Sequence, residues 1–126
     1  MASYKELKVW KESITLTVLI YRLTLNFPNE ERKGLTDQMR RAAVSISSNI
    51  AEGYGRQSDK DLSRFLRIAL GSSYELDTQL EIAKYLYLMD ETAFSDIHLR
   101  IDNVQKMLSS LIYRRDKGLD SFEHKT

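Results

Sequence analysis

Apolar residues recur at intervals of three and four along four stretches of this chain, a spacing that places them on one face of an α-helix. The segments between them carry the proline, glycine and charged residues that favour turns. We predict helices at about residues 5–26, 35–54, 58–88 and 92–115, followed by a frayed polar tail at 116–126. Four amphipathic helices with short links predict an all-α, antiparallel up-down-up-down four-helix bundle.

Each predicted helix has one apolar stripe that we assign to the core. The stripe of the first helix is Leu7, Trp10, Ile14, Val18, Tyr21 and Leu25. That of the second is Leu35, Met39, Ala42, Ile46, Ile50 and Gly53. The third helix has Leu62, Leu66, Ala69, Ser73, Leu76, Leu80, Ala83 and Tyr87. The fourth has Phe94, Ile97, Ile101, Val104, Leu108 and Leu111. Thr36 and Ser58 are the expected N-caps of the second and third helices.

The most distinctive segment is 40–56, a helical stretch made largely of alanine, serine and glycine. Such small side chains let other helices approach its backbone closely. We expect the glycines at 53 and 55 to end the helix in the left-handed conformation. We interpret Ser45, Asn49 and Glu52 as a polar clamp that fixes the turn between the second and third helices.

Composition limits the classes of protein to consider. A chain of 126 residues predicts a single domain, 1–126. Its net charge of +1 excludes a uniformly basic nucleic-acid-binding surface but permits a local basic patch. It has no cysteine, no apolar run long enough for a membrane span and no secretory signal at its start, so we expect a cytoplasmic protein that does not engage membranes.

No catalytic, metal or cofactor motif is present in the sequence. His98 and His124 are the only histidines, and neither belongs to a pair four residues apart that would bind zinc. The Glu-x-x-His pairs of di-iron bundles are also absent. We therefore expect no enzyme, no metal and no cofactor.

The outer face of the third helix carries a second stripe, basic in its first half and apolar in its second. Together with small residues on the back of the second helix, it predicts a surface for self-association. The residues of this predicted oligomer interface are Val44, Ser47, Ala51, Tyr74, Ile82 and Tyr85. The alternative is a bundle helix that simply has two neighbours within its own chain.

The basic residues predict a second kind of contact. Arginine and lysine at these positions can bind the phosphates of a nucleic-acid backbone without reading its sequence. The candidate residues are Arg40, Arg41, Arg56, Lys60, Arg64 and Arg67. The alternative is that they pair with Glu52, Asp59, Asp61 or the acids of a neighbouring subunit, and on the residues alone such ion pairs are the commoner arrangement.

Several motifs resemble a known family over nearly the whole chain. They are Leu7-Lys8-Val9-Trp10, Phe27-Pro28, Glu31, Gly34-Leu35-Thr36, the runs from Gln38 to Ile46 and from Ser48 to Gly53, Gly71-Ser72, Glu75-Leu76 and Gln79-Leu80. The chain resembles the bacterial four-helix bundle proteins first noticed as open reading frames within intervening sequences of large-subunit ribosomal RNA genes. Ser47 departs from that family, which often has proline there.

The resemblance implies a homopentameric ring without enzymatic activity. That ring is similar to the accessory variability determinant of diversity-generating retroelements. The resemblance implies as partners other copies of the chain, RNA or DNA, and a reverse transcriptase or another protein. It favours nucleic-acid binding through the basic residues. The alternative is a purely structural or protein-interaction bundle whose arginines form intersubunit ion pairs.

Overall fold

The computed structural model describes residues 3–119, which form four α-helices and no β-strand. α1 spans Lys8–Thr24, α2 Asp37–Arg56, α3 Asp59–Tyr85 and α4 Glu91–Asp116. Short 3-10 turns lie at Tyr4–Glu6 and Asn29–Glu31, and a wide helical turn at Arg32–Thr36 leads into α2. The predicted all-α class is confirmed. Most of the predicted frayed tail, residues 120–126, lies outside the described residues.

Each helix packs against two others, α1 and α3 both contacting α2 and α4. Contacts between helix ends show the direction of the chain. They are Thr24 with Arg40, Gly53 with Leu62, and Asp59 with Arg115. In each pair the end of one helix meets the start of another, so neighbouring helices run antiparallel in an up-down-up-down order.

The predicted core stripes of α2, α3 and α4 are buried, with two exceptions near helix ends. Tyr87 lies beyond the end of α3 and is 92% exposed. In α4, Leu111 is only partly buried and Ile112 occupies the core position. The three-and-four spacing therefore located the core correctly over most of these helices.

The predicted stripe of α1 is wrong from Ile14 onward, whereas its first members, Leu7 and Trp10, are partly buried against the core. Its buried residues are Val9, Ser13, Leu16, Ile20 and Thr24, and the side chains of Ile14, Val18, Tyr21 and Leu25 are exposed instead. The two buried hydroxyls are satisfied inside the helix, because Ser13 donates to the Trp10 carbonyl (2.7 Å) and Thr24 to the Ile20 carbonyl (2.8 Å). Both can therefore face the core without an unpaired polar atom.

The ends of α2 also differ from the prediction. Thr36 makes no capping hydrogen bond, because its own backbone is already helical (φ −56°, ψ −53°) and the kink before α2 lies at Gly34. At the other end the helix continues through both glycines to Arg56, and Gln57 takes the left-handed conformation (φ 54°). Ser58 caps α3 as predicted, accepting a hydrogen bond from the Asp61 amide.

Gly53 has a packing role rather than a terminating one. A Cβ atom at this position would lie 2.9 Å from the Cβ of Phe65 and 3.1 Å from a methyl of Leu62. Those distances leave no room for a side chain between α2 and α3. The glycine thus allows the two helices to approach closely beside the basic residues at their junction.

Candidate nucleic-acid interface

The junction of α2 and α3 brings basic side chains from both helices together. The left-handed Gln57 reverses the chain and Ser58 starts α3, so Arg56 ends one helix close to the first turns of the next. The guanidinium groups of Arg56 and Arg64 both lie over the ring of Phe65, 5.3 Å and 4.4 Å from its centre. Contacts of this kind hold arginine planes against an aromatic face.

Three of the predicted basic residues line one surface cavity of about 640 Å³ between the start of α3 and the end of α4, here called the α3 basin. Its lining residues are Asp59, Lys60, Ser63, Arg64, Arg67, Ile68, Arg115 and Asp116. Four of these side chains are basic and two are acidic. The basin therefore has an excess of positive charge.

Each arginine around the basin has a carboxylate partner in the same chain. Arg56 pairs with Glu52 (3.0 Å), Arg64 with Asp61 (3.6 Å), and Arg67 with Asp116. The arginine side chains in these pairs are about half exposed. Exposed ion pairs contribute only about 0–1 kcal/mol each, so an arriving phosphate can compete with these carboxylates.

Arg115 is a basin residue that the sequence analysis missed. Its side chain is 3% exposed, its Nη1 lies 3.2 Å from Asp59 Oδ1, and its guanidinium lies over the ring of Tyr54. It joins the end of α4 to the start of α3 and thereby forms the floor of the basin. One signal was available in the sequence, since Arg115 continues the core spacing of α4 after Leu108 and Ile112.

Arg40 and Arg41 do not belong to the basin, so the six predicted basic residues do not form one surface. They lie near the start of α2, about 24 Å along the helix axis from Arg56 at a rise of about 1.5 Å per residue. Arg40 donates to the Thr24 hydroxyl (2.9 Å) and stacks over Tyr21, and Arg41 pairs with Asp37 (3.0 Å). Arg40 thus fastens α2 to α1.

The predicted polar clamp exists with different members. Asn49 donates to both the carbonyl and the hydroxyl of Ser45 (2.8 and 2.9 Å). The Ser45 hydroxyl in turn bonds the Ser72 hydroxyl of α3 (2.8 Å), so the clamp joins the middle of the two helices. Glu52 pairs with Arg56 instead.

The predicted oligomer interface is mostly accessible in the single chain. Val44, Tyr74, Ile82 and Tyr85 are exposed, and Ala51 is half-buried. Ser47 is buried, so its assignment to this interface was wrong. It lies one turn after Ala43, whose carbonyl accepts a hydrogen bond from Thr17, on the side of α2 that faces α1. No helix among residues 3–119 covers the apolar half of the outer stripe of α3.

Outside the basin, the part of the chain that the structure describes contains no metal site. Within residues 3–119 there is no group of three or more side chains that could hold a metal ion. His98 stacks on Phe94 and lies 3.7 Å from Asp77, and His124 is outside the described residues. Nor does any helix in this part of the chain combine the length and apolarity needed to cross a bilayer.

The fold and the site together identify this chain as a small helical bundle protein with a polar basin at one end. The chain belongs to the 23S rRNA-intervening sequence protein family, whose model matches residues 5–110. It is also similar to the solved structure of a protein of unknown function from the S23 ribosomal protein family of Bacteroides thetaiotaomicron. The two are 26% identical, with a TM-score of 0.75 over 82% of this chain and 97% of the other. No curated protein matches the chain significantly.

Proposed function

We propose that this protein is a non-enzymatic, self-associating helical bundle that binds the phosphate backbone of a nucleic acid through the α3 basin and the adjoining Arg56. The observation that carries the proposal is the convergence of Arg56, Lys60, Arg64 and Arg67 at one junction. Backbone binding of this kind needs positive charge and arginine forks at an open surface, and it needs no deep pocket.

Affinity for generic RNA or DNA should fall steeply with salt, because each neutralised phosphate releases counterions. Four contacts predict a slope of log K against log salt of about −3 to −4. The measurement is fluorescence anisotropy with labelled single- and double-stranded RNA and DNA at several salt concentrations. Little dependence on base sequence is expected, since the contacts are to phosphates.

Reversing the charges of Arg64 and Arg67 to Glu should abolish binding. The matched control reverses Lys33 and Lys106, which changes the net charge equally but lies outside the basin, and it should retain most of the affinity. Asp116→Asn should strengthen binding, because the Asp116 carboxylate forms an ion pair with Arg67 in the free protein and so competes with a phosphate. If the Arg64/Arg67 variant binds as well as the control, with its assembly intact, the basin is not the site.

The second candidate function is a purely structural or protein-interaction bundle. The observation that favours it is that Arg56, Arg64 and Arg67 all pair with acids of their own chain. Intersubunit pairs of the same arginines would add to that role. Absence of salt-dependent binding to every nucleic acid at physiological ionic strength would favour this second function.

Self-association is part of both functions. Its support is the exposure of Tyr74, Ile82 and Tyr85 on a helix face that a monomer would be expected to make polar. The family resemblance implies five copies. Sedimentation velocity at micromolar concentration tests this part of the proposal, and a mass of one chain would contradict it.

A further inference from the structure

The exposed side of α1 is an apolar surface. Ile14, Val18, Tyr21 and Leu25 follow one another along it, and Leu25 is 75% exposed. This surface, the α1 face, includes a cavity of about 490 Å³ that Arg22 and Arg40 also line. A continuous apolar row of this length on a water-facing helix indicates a contact surface.

A second apolar surface, the α3 face, consists of Tyr74, Ile82 and Tyr85. It cannot cover the α1 face of the same chain, because α1 and α3 sit diagonally in the bundle, each packed between α2 and α4. The two faces point to different sides of the molecule. They are different in sequence and shape, so a contact between them joins unlike surfaces.

The two faces lie at the same height along the bundle. The bond from Thr17 to the Ala43 carbonyl places the middle of α1 level with that part of α2. The bond between Ser45 and Ser72 places the stretch of α3 just before Tyr74 at nearly the same level. From there α1 and α3 run toward the same end, because both are antiparallel to α2.

The charges around the two faces are complementary. Arg22 is the only charged residue in segment 13–29, and Arg40 borders the α1 face from α2. Segment 68–85 of α3 contains three acids and one basic residue, Lys84, whose ammonium lies over the ring of Phe94 in α4. Glu75 and Glu81 flank the α3 face. Bringing α1 face to α3 face places basic groups beside acidic ones, whereas pairing either face with its own copy brings like charges together.

We infer that the α1 face of one copy of this chain packs against the α3 face of the next, so that the protein assembles head to tail. A contact between unlike surfaces is heterologous, and because the two faces lie at the same height it joins successive copies with little displacement along the bundle axis. The inference rests on the self-association proposed above and names the surfaces that produce it. The α1 face is the half of the interface that the sequence analysis assigned to the core.

Two variants test the inference, one for each face. Val18→Asp with Leu25→Asp disables the α1 face, and Ile82→Asp with Tyr85→Asp disables the α3 face. Native mass spectrometry should show each variant alone at the 14.7 kDa mass of one chain. An equimolar mixture should form a species of two chains, because each variant still supplies the intact face that the other lacks.

Leu99→Asp is the matched control, an exposed leucine of α4 outside both faces, and it should keep the wild-type mass. Circular dichroism should show unchanged helix content in every variant. If either face variant keeps the wild-type assembly, or if the mixture contains only single chains, the head-to-tail contact is wrong although self-association stands. A monomeric wild-type protein would overturn both, and neither result depends on nucleic-acid binding.

Discussion

Gly53 lies inside α2, where replacing glycine by alanine would ordinarily stabilise a helix. Gly55 is in the same helix two residues later and provides the matched comparison. A Cβ at Gly55 would meet nothing within 4 Å, whereas one at Gly53 would lie 2.9 Å from the Cβ of Phe65. That atom is attached directly to the backbone of α3, so relief requires the two helices to move apart.

The expected magnitudes follow from these contacts. Alanine is favoured over glycine in a helix by up to about 1 kcal/mol, a gain that both substitutions share. Overpacking a well-packed core costs about 1–3 kcal/mol, and only Gly53→Ala incurs it. The two variants should therefore differ by about 1–3 kcal/mol in the free energy of unfolding, with Gly55→Ala the more stable and Gly53→Ala no better than wild type.

Urea denaturation followed by circular dichroism measures this difference, at one fixed protein concentration so that the proposed self-association affects both variants equally. Gly53→Ala should also weaken the proposed nucleic-acid binding, because separating α2 from α3 moves Arg56 away from Arg64. Equal midpoints for the two alanine variants would refute the close approach of the helices at Gly53.

Arg115→Met should lower the free energy of unfolding by about 1.5–3 kcal/mol, the range for a hydrogen bond to a charged group. Its Asp59 partner is partly exposed and can be rehydrated, which keeps the loss below that of a fully buried pair. Lys106→Met removes an exposed ion pair with Asp102 and should change the free energy of unfolding by less than about 0.5 kcal/mol in the same urea titration. Similar losses at both positions would contradict a buried ion pair at Arg115. Ser72→Ala should cost about 1 kcal/mol by removing the hydroxyl that joins α3 to Ser45, and an unchanged midpoint would show that the clamp does not hold the helices together.

The error on α1 shows where reasoning from spacing fails. This helix has two rows with helical spacing, and the more apolar one, from Ile14 to Leu25, is not the row that faces the core. Ser13 and Thr24 belong to the buried row although they are polar, because each hydroxyl is satisfied by a carbonyl within its own helix. Hydrophobicity alone cannot choose between a row buried in one chain and a row available to another copy.

Only part of the α3 basin could be predicted from the sequence, namely the basic residues that are neighbours along the chain. Arg56, Lys60, Arg64 and Arg67 follow one another in sequence, so helical spacing was enough to group them. Their tertiary surroundings come from Asp116 and Arg115, about fifty residues further along the chain. Contacts at that separation leave no periodic signal, and a local pattern could not show that Arg40 instead fastens α2 to α1.

The sequence by itself determined the all-α class, the four helices, most of their core residues and the Ser58 cap, because periodicity, turn residues and capping act within a few positions of the chain. It also carried the family motifs from Gln38 to Gly53. Only the tertiary structure decided which side of α1 faces the core, which cations share the α3 basin and why position 53 is glycine. Those features depend on the direction a helix faces and on the backbone packed against it, and both are fixed only when all four helices are in place.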